Sequence, residues 1–239
     1  MTRSKRSTVS ALINSEVIVP TDKVSIRLAA YDTDLRDRYG KIICGVDESG
    51  RGAWAGMIAA GACILPPGVN LPGLNDSKAM TAVKRKELAI AIKAVALIWR
   101  VEYVSAEEID KKGLTWANQT VMHRAAQWCA DRLESQVNLY VVDQAPVFAL
   151  RPHLMMSRAD STSLSVAAAA VLAKTERDAL MHELALRHPE YDWGTRHGYV
   201  SDYHVEAVRK YGMVDGVHRK SYKIKALAKE KQLTMDELI

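Results

Sequence analysis

Residues 41–46 (KIICGV) form a short, continuous run of β-prone apolar residues that stops at Asp47 and Glu48, and a second run covers 54–65. Between them lies the turn-forming stretch Ser49-Gly50-Arg51-Gly52, so the two runs read as adjacent strands. From Thr81 to Leu97 apolar residues recur at helical spacing over a charged face, and Ile98 to Val104 then alternates as a strand does. Ser105 and Glu108 have the spacing of a capping box and predict a short helix there. Thr115–Leu133 is a longer helical pattern, and Leu139–Val142 a further β-prone run that ends at Asp143. Ser161–Arg187 predicts a long helix with an almost pure Ala/Val/Leu start, and Ser201–Tyr211 a shorter one stopped by Gly212. Strands first and strand-helix alternation afterwards predict an α/β fold, an apolar sheet covered by helices. No internal repeat or Pro- or Ser-rich linker divides the chain. It reads as a lead segment (1–40), a main domain (41–215) and a basic, helical C-terminal segment (216–239).

Composition narrows this picture. Over 239 residues, 48% hydrophobic and 26% charged residues exclude a disordered or low-complexity chain, and an aromatic share of 6% predicts an aliphatic core. The longest apolar run, Ala53–Leu65, carries two glycines and falls short of the roughly 18 residues a membrane span needs. Asn14, Ser15 and Glu16 interrupt any apolar secretion-signal core, so a cytoplasmic location is expected. Cys44, Cys63 and Cys129 lack Cys-x-x-Cys spacing and are expected as small buried apolar residues. The net charge of +5 permits a polyanionic partner. Its distribution points more clearly: from Arg209 to Lys231 eight basic residues face only two acids, Asp215 and Glu230.

Four acids stand at element ends: Asp47 and Glu48 after one strand, Asp143 after another, and Asp160 before the Ala-rich helix. Brought together they repel one another, and burial raises their pKa values, so a cluster makes sense chiefly around a hard divalent cation. Oxygen-only ligation favours Mg²⁺ or Mn²⁺, and two such ions about 4 Å apart serve phosphodiester hydrolysis. Taken singly, Asp160 also suits a helix N-cap and Asp143 a strand-ending turn. Asp47 and Glu48 are adjacent, so a regular strand points them to opposite faces, and a bend near Gly50 is expected to bring them to one site. Asp178 lies about five helical turns beyond Asp160 and reads as structural.

The run Gly45-Val46-Asp47-Glu48-Ser49-Gly50-Arg51-Gly52 resembles the signature of the ribonuclease HII family. Asn75-Asp76-Ser77-Lys78, Glu107-Glu108-Ile109-Asp110, Asp143, Asp160 with Ser163, Ala167-Ala168-Ala169, Ala173-Lys174, Arg177-Asp178, His197-Gly198-Tyr199 and His218-Arg219 resemble further family blocks, in order, over about residues 40–222. The resemblance implies an RNase H-like fold with a mixed sheet flanked by helices. It also implies Mg²⁺- or Mn²⁺-dependent cleavage of RNA/DNA hybrids and of duplex DNA 5′ to single embedded ribonucleotides, leaving 3′-hydroxyl and 5′-phosphate ends. By motif, Asp47, Glu48, Asp143 and Asp160 take the metal-binding, catalytic positions. Gly50, Arg51 and Gly52 take the loop that senses the 2′-hydroxyl, and Tyr199 the junction-sensing tyrosine. Lys78 and Lys174 are candidate phosphate contacts. Gln144 stands where the family usually has Gly, Ala53 and Met57 where it has Pro, and Val200-Ser201 in place of Gly-Thr. Arg51 separates the chain from ribonuclease HIII, which has Lys there and a larger N-terminal domain.

His197, His204 and His218 are expected in hydrogen-bonding or packing roles rather than on a metal. Thr234 and Glu237 form another capping box, so a terminal helix is expected, and residues 232–239 also offer a sliding-clamp contact. A monomer without membrane contact is expected. A noncatalytic nucleic-acid binder is the alternative from another class, but it gains nothing from four acids that repel phosphate. A different two-metal nuclease of the same fold is distinguished by digestion of plain DNA.

Overall fold

The computed structural model describes residues 22–77, 80–133, 136–144, 150–224 and 227. One sheet is built from β1 (Ile43–Ser49), β2 (Ile58–Ile64), β3 (Ile98–Val104), β4 (Leu139–Asp143) and β5 (His153–Met156), in the order β3-β2-β1-β4-β5. The pairs β1–β2 and β2–β3 are antiparallel, whereas β1–β4 and β4–β5 are parallel, so the sheet is mixed. Around it lie α1 (Lys23–Tyr39), α2 (Ala82–Val95), α3 (Ala106–Lys112), α4 (Leu114–Arg132), α5 (Leu164–Arg187), α6 (Trp193–Arg196) and α7 (Asp202–Tyr211). The α/β architecture is the one expected from the alternation of patterns.

Strand alternation divides the core between two faces. Cys44, Val46, Ala60 and Ala62 pack with Val121, Met122 and Ala125 of α4, while Ala59 and Cys63 pack with Ala168, Ala169 and Leu172 of α5. The Ala-rich start of α5 lets the helix press onto the sheet. A Cβ on Gly45 would lie 2.2 Å from the Ser165 carbonyl carbon, so only glycine fits beneath it. Cys44, Cys63 and Cys129 are buried free thiols, as expected.

Thr81, Ser105 and Ser201 each accept a backbone N–H as helix caps, and Ser105 with Glu108 completes the predicted capping box; Thr81 and Ser201 open the stretches read as helical. The long helix differs. Asp160 lies in a one-turn 3₁₀ segment, Ala159–Ser161, and Ser163 caps α5, which therefore begins at Leu164 rather than near Ser161. Helix α1 falls in the stretch read as a lead segment. Its inward residues are Ser25, Leu28, Asp32 and Leu35. Half of that face is polar, so its helical period is invisible to a hydrophobic count. Residues 216–224 are turns and coil, with Ala55 and His218 joined by a β-bridge. Lys78, Lys225, the capping box at Thr234–Glu237 and the clamp segment 232–239 lie outside the described residues. Among the described residues no helix is long and apolar enough to cross a membrane.

Candidate active site

The central strand does not bend between its two acids. The β1–β2 register runs unbroken through Asp47↔Gly61, Glu48↔Ala60 and Ser49↔Ala59. Parallel pairing with β4 ends at Val46↔Val142, and Asp143 pairs instead with Met156 of β5. The two parallel strands thus part just where their carboxylates begin. A crevice outside the carboxyl ends of parallel strands is the usual ligand site of an α/β sheet. The chain turns at Gly50, with φ +84°, only after both acids, and Asp47, Glu48 and that turn line one cavity.

Asp47 is buried and its Oδ1 accepts the Glu48 N–H at 2.7 Å. Asp143 Oδ1 accepts the Ala159 N–H at 3.0 Å, which brings the end of β4 beside the 3₁₀ turn that carries the buried Asp160. Burial pushes the Asp47 carboxyl well above the usual carboxylate range. The charges of Glu48, Asp143 and Asp160 push it in the same direction, offset in part by the Glu48 N–H. All four acids therefore act on one point of the fold. Such an all-oxygen, anionic donor set suits a hard divalent cation. Among the described residues no three His, Cys, Asp or Glu side chains are arranged to hold an ion by themselves. Mg²⁺ sites characteristically draw the rest of their shell from water and substrate oxygens.

The cavity, about 410 Å³, is lined further by Ser49, Gly50, Arg51, Gly52, Ser77, Lys174 and Tyr199. Asp143 and Asp160 lie outside that lining but within the electrostatic reach of Asp47. Lys174 Nζ donates to Asp178 Oδ1 at 2.6 Å, and burial pulls Lys174 below the ordinary lysine range against the pull of that carboxylate. Helix α5 is unbroken, so Asp178 serves Lys174, and His197 at 3.6 Å, instead of joining the four acids. Tyr199 is 37% exposed, with Lys174 Nζ 5.8 Å from its ring centroid.

Two buried arginines behind the loop were not legible as such. Arg177 Nε, Nη1 and Nη2 donate to the carbonyls of Met57, His197 and Ala55. Arg219 Nε donates to Gly56 O, and its Nη1 to Arg51 O and the Tyr222 hydroxyl. Burial pulls both guanidinium groups down, Arg177 to about 10. Arginine patterns as a surface residue. The signal that could have found them is their place in the motifs Arg177-Asp178 and His218-Arg219.

Comparison with known proteins places this geometry. The family model described as Ribonuclease HII matches residues 44–225. The chain is 36% identical over 225 residues to a ribonuclease HII of Geobacillus thermodenitrificans, covering 92% of this chain and 85% of that protein. Two solved structures share the fold: a ribonuclease H2 of Pyrococcus horikoshii (TM-score 0.62, 20% identity, 80% of this chain and 98% of that one), and the ribonuclease HII in a PCNA complex from Archaeoglobus fulgidus (TM-score 0.57, 24% identity, 77% and 96%).

Proposed function

The chain belongs to the ribonuclease HII family, and from that premise we propose that it cuts the phosphodiester bond 5′ to a ribonucleotide, both in RNA/DNA hybrids and at single ribonucleotides within duplex DNA. It is an endoribonuclease and a metal-dependent hydrolase. The observation that carries the finer reading is the burial of Asp47 under the combined charge of Glu48, Asp143 and Asp160, beside a cavity walled by Gly50, Arg51, Gly52 and Tyr199.

Asp47, Glu48, Asp143 and Asp160 would hold Mg²⁺ or Mn²⁺. Bound there, the ions supply an activated water and charge stabilisation at the leaving oxygen, so that the products are a 3′-hydroxyl and a 5′-phosphate. The protein's own part is to gather the four carboxylates at the ends of β1 and β4 and in the 3₁₀ turn, with Asp47 and Glu48 lining the cavity. Gly50 and Gly52 bring backbone close to a sugar, which lets the loop sense a 2′-hydroxyl. Arg51 stands between them, exposed to the strand it reads. Tyr199 offers a ring face to the sugar 3′ of the ribonucleotide. Lys174, and Lys78 by sequence alone, contact phosphates. The protein acts in the cytoplasm as a monomer. For residues 232–239 a terminal helix is the first reading and a sliding-clamp contact the second; the second is tested by deleting those residues and measuring clamp binding.

The experiment is cleavage of a duplex bearing one ribonucleotide, with and without Mg²⁺, beside an all-DNA duplex. A metal-dependent nick at the ribonucleotide alone is expected; equal cutting of both duplexes overturns the reading. Asp143→Asn is expected to abolish turnover and leave duplex binding largely intact.

A further inference from the structure

Resting on the reading of Gly50-Arg51-Gly52 and Tyr199 as the ribonucleotide reader, we infer that Arg177 is a positioning residue that fixes the register between the two halves of that reader. Its side chain is fully buried midway along α5. It donates to Met57 O at 2.9 Å and Ala55 O at 3.2 Å, on the chain that leaves the glycine loop, and to His197 O at 3.0 Å, two residues before Tyr199. The guanidinium carbon lies 5.6 Å from the Tyr199 ring centroid. Gly50 has φ +84°, and a Cβ built on it would stand 1.9 Å from Arg177 Nε, so the guanidinium fills the space a side chain would take there. One group therefore touches the loop backbone, the turn that carries Tyr199, and the face of the ring. The same two segments are joined directly, by Trp54 and Ala55 N–H groups donating to Gly198 O at 2.8 and 3.0 Å.

Each hydrogen-bond partner of Arg177 is a backbone carbonyl. A guanidinium buried without a carboxylate is costly to desolvate, and an apolar side chain of similar volume would fill the same space at lower cost. What arginine alone supplies is several donors at fixed angles, enough to hold three carbonyls on two separate segments in one arrangement. The consequence falls on discrimination more than on chemistry. A single embedded ribonucleotide presents one 2′-hydroxyl and one flanking deoxyribose, so the loop and the ring must sit at one separation. A uniform RNA strand offers a 2′-hydroxyl at every step and tolerates a shifted register.

The test compares steady-state cleavage of two duplexes of the same sequence, one with a single ribonucleotide and one with a uniform RNA strand. Arg177→Lys is expected to lower kcat on the single-ribonucleotide duplex about tenfold more than on the hybrid. KM should move less than about threefold, because phosphate contacts dominate duplex affinity. Gly50→Ala approaches the contact from the opposite side and is expected to shift the same ratio, also where Arg177→Lys does not fold. If the two act through one contact, the double variant is no worse than the poorer single one. Val121→Ala, on the buried face of α4, destabilises without touching the reader and is expected to lower both rates in parallel. An unchanged ratio in Arg177→Lys, or in Gly50→Ala where that is the variant that folds, overturns the inference alone if Tyr199→Ala loses discrimination. An unchanged ratio in Tyr199→Ala removes the underlying reading of the tyrosine as well.

Discussion

The Ser163 hydroxyl donates to Asp32 Oδ1 at 2.6 Å, and Asp32 Oδ2 accepts the Ser165 N–H at 2.9 Å and its hydroxyl at 2.6 Å. A fully buried carboxylate from α1 thus closes the N-terminus of α5, where unpaired backbone N–H groups and the helix dipole favour negative charge. That N-terminus begins four residues after Asp160, so α1 holds part of the frame of the four-acid cluster. Asp32→Ala leaves three buried donors without an acceptor and is expected to destabilise the fold by about 3 kcal/mol. A thermal melt should fall by roughly 10 °C for a chain of this size. A change below about 1 kcal/mol would contradict the assigned role.

Asp47 leads to a prediction of opposite sign. Its folded carboxyl binds a proton more tightly than the unfolded one, through burial and then through Glu48, Asp143 and Asp160. The folded chain therefore holds the extra proton, and metal-free stability falls as pH rises through that range. Asp47→Asn removes this charge and is expected to raise metal-free stability at pH 7 by about 1 kcal/mol, the usual sign of a strained functional site. Turnover should drop by about 10³-fold. Mg²⁺ should raise the melting temperature of the wild type more than that of the variant. Calorimetry with and without the metal reads both terms, and a less stable metal-free variant would count against the repulsion.

The first four strands, the Ala-rich helix and the capping box at Ser105 and Glu108 were legible because each declares itself locally, by period or by one hydroxyl with its partner. The four acids were legible as ends of elements. Their packing was not: whether Asp160 caps a helix depends on Ser163 and on Asp32, 131 residues away in the chain. Arg177 and Arg219 were hidden for the same reason. Apart from the Tyr222 hydroxyl that Arg219 meets, their partners are backbone carbonyls, which every residue possesses and no sequence pattern marks.

Gln144 shows what a departure from the family pattern costs. It has φ 46°, in the left-handed region that glycine enters freely and other residues do not. Its N–H donates to Met156 O at 3.2 Å and its Nε2 to Ser157 Oγ at 2.7 Å, contacts that hold the chain in this conformation just after Asp143. Gln144→Gly relieves about 1 kcal/mol of backbone strain and loses an exposed hydrogen bond of similar size, so it should be neutral within about 1 kcal/mol. Gln144→Val keeps the strain, worsens it by β-branching and has no donor, and should cost about 2 kcal/mol. Urea unfolding of the two variants separates them; equal stability would show that the backbone is not held at this angle in solution.

Two buried imidazoles make the fold sensitive to acid. Val214 N–H donates to His218 Nδ1 at 2.8 Å, so neutral His218 carries its proton on Nε2. The Tyr199 carbonyl, 3.1 Å from His204 Nδ1, can only accept, so His204 carries its proton on Nδ1 and presents Nε2 as an acceptor. That nitrogen takes the Trp193 Nε1–H and the His218 Nε2–H, each at 3.1 Å. A proton added to His218 meets the Val214 donor, and one added to His204 meets two donors. Burial first, and then the neighbouring His204, hold His218 down to about 4, and burial lowers His204 as well. Unfolded imidazoles titrate near 6.5, so between about 6.5 and 4 the unfolded chain binds more protons than the folded one. The imidazole contribution to stability is therefore level above that window and falls as pH falls through it. For His218 alone the loss by pH 4 is about 3 kcal/mol, from 1.36 kcal/mol per pH unit. His218→Asn keeps an acceptor for Val214 but cannot titrate. Unfolding free energies at pH 7.5, 6 and 5 should fall more steeply for the wild type than for this variant; parallel slopes would place the acid sensitivity elsewhere.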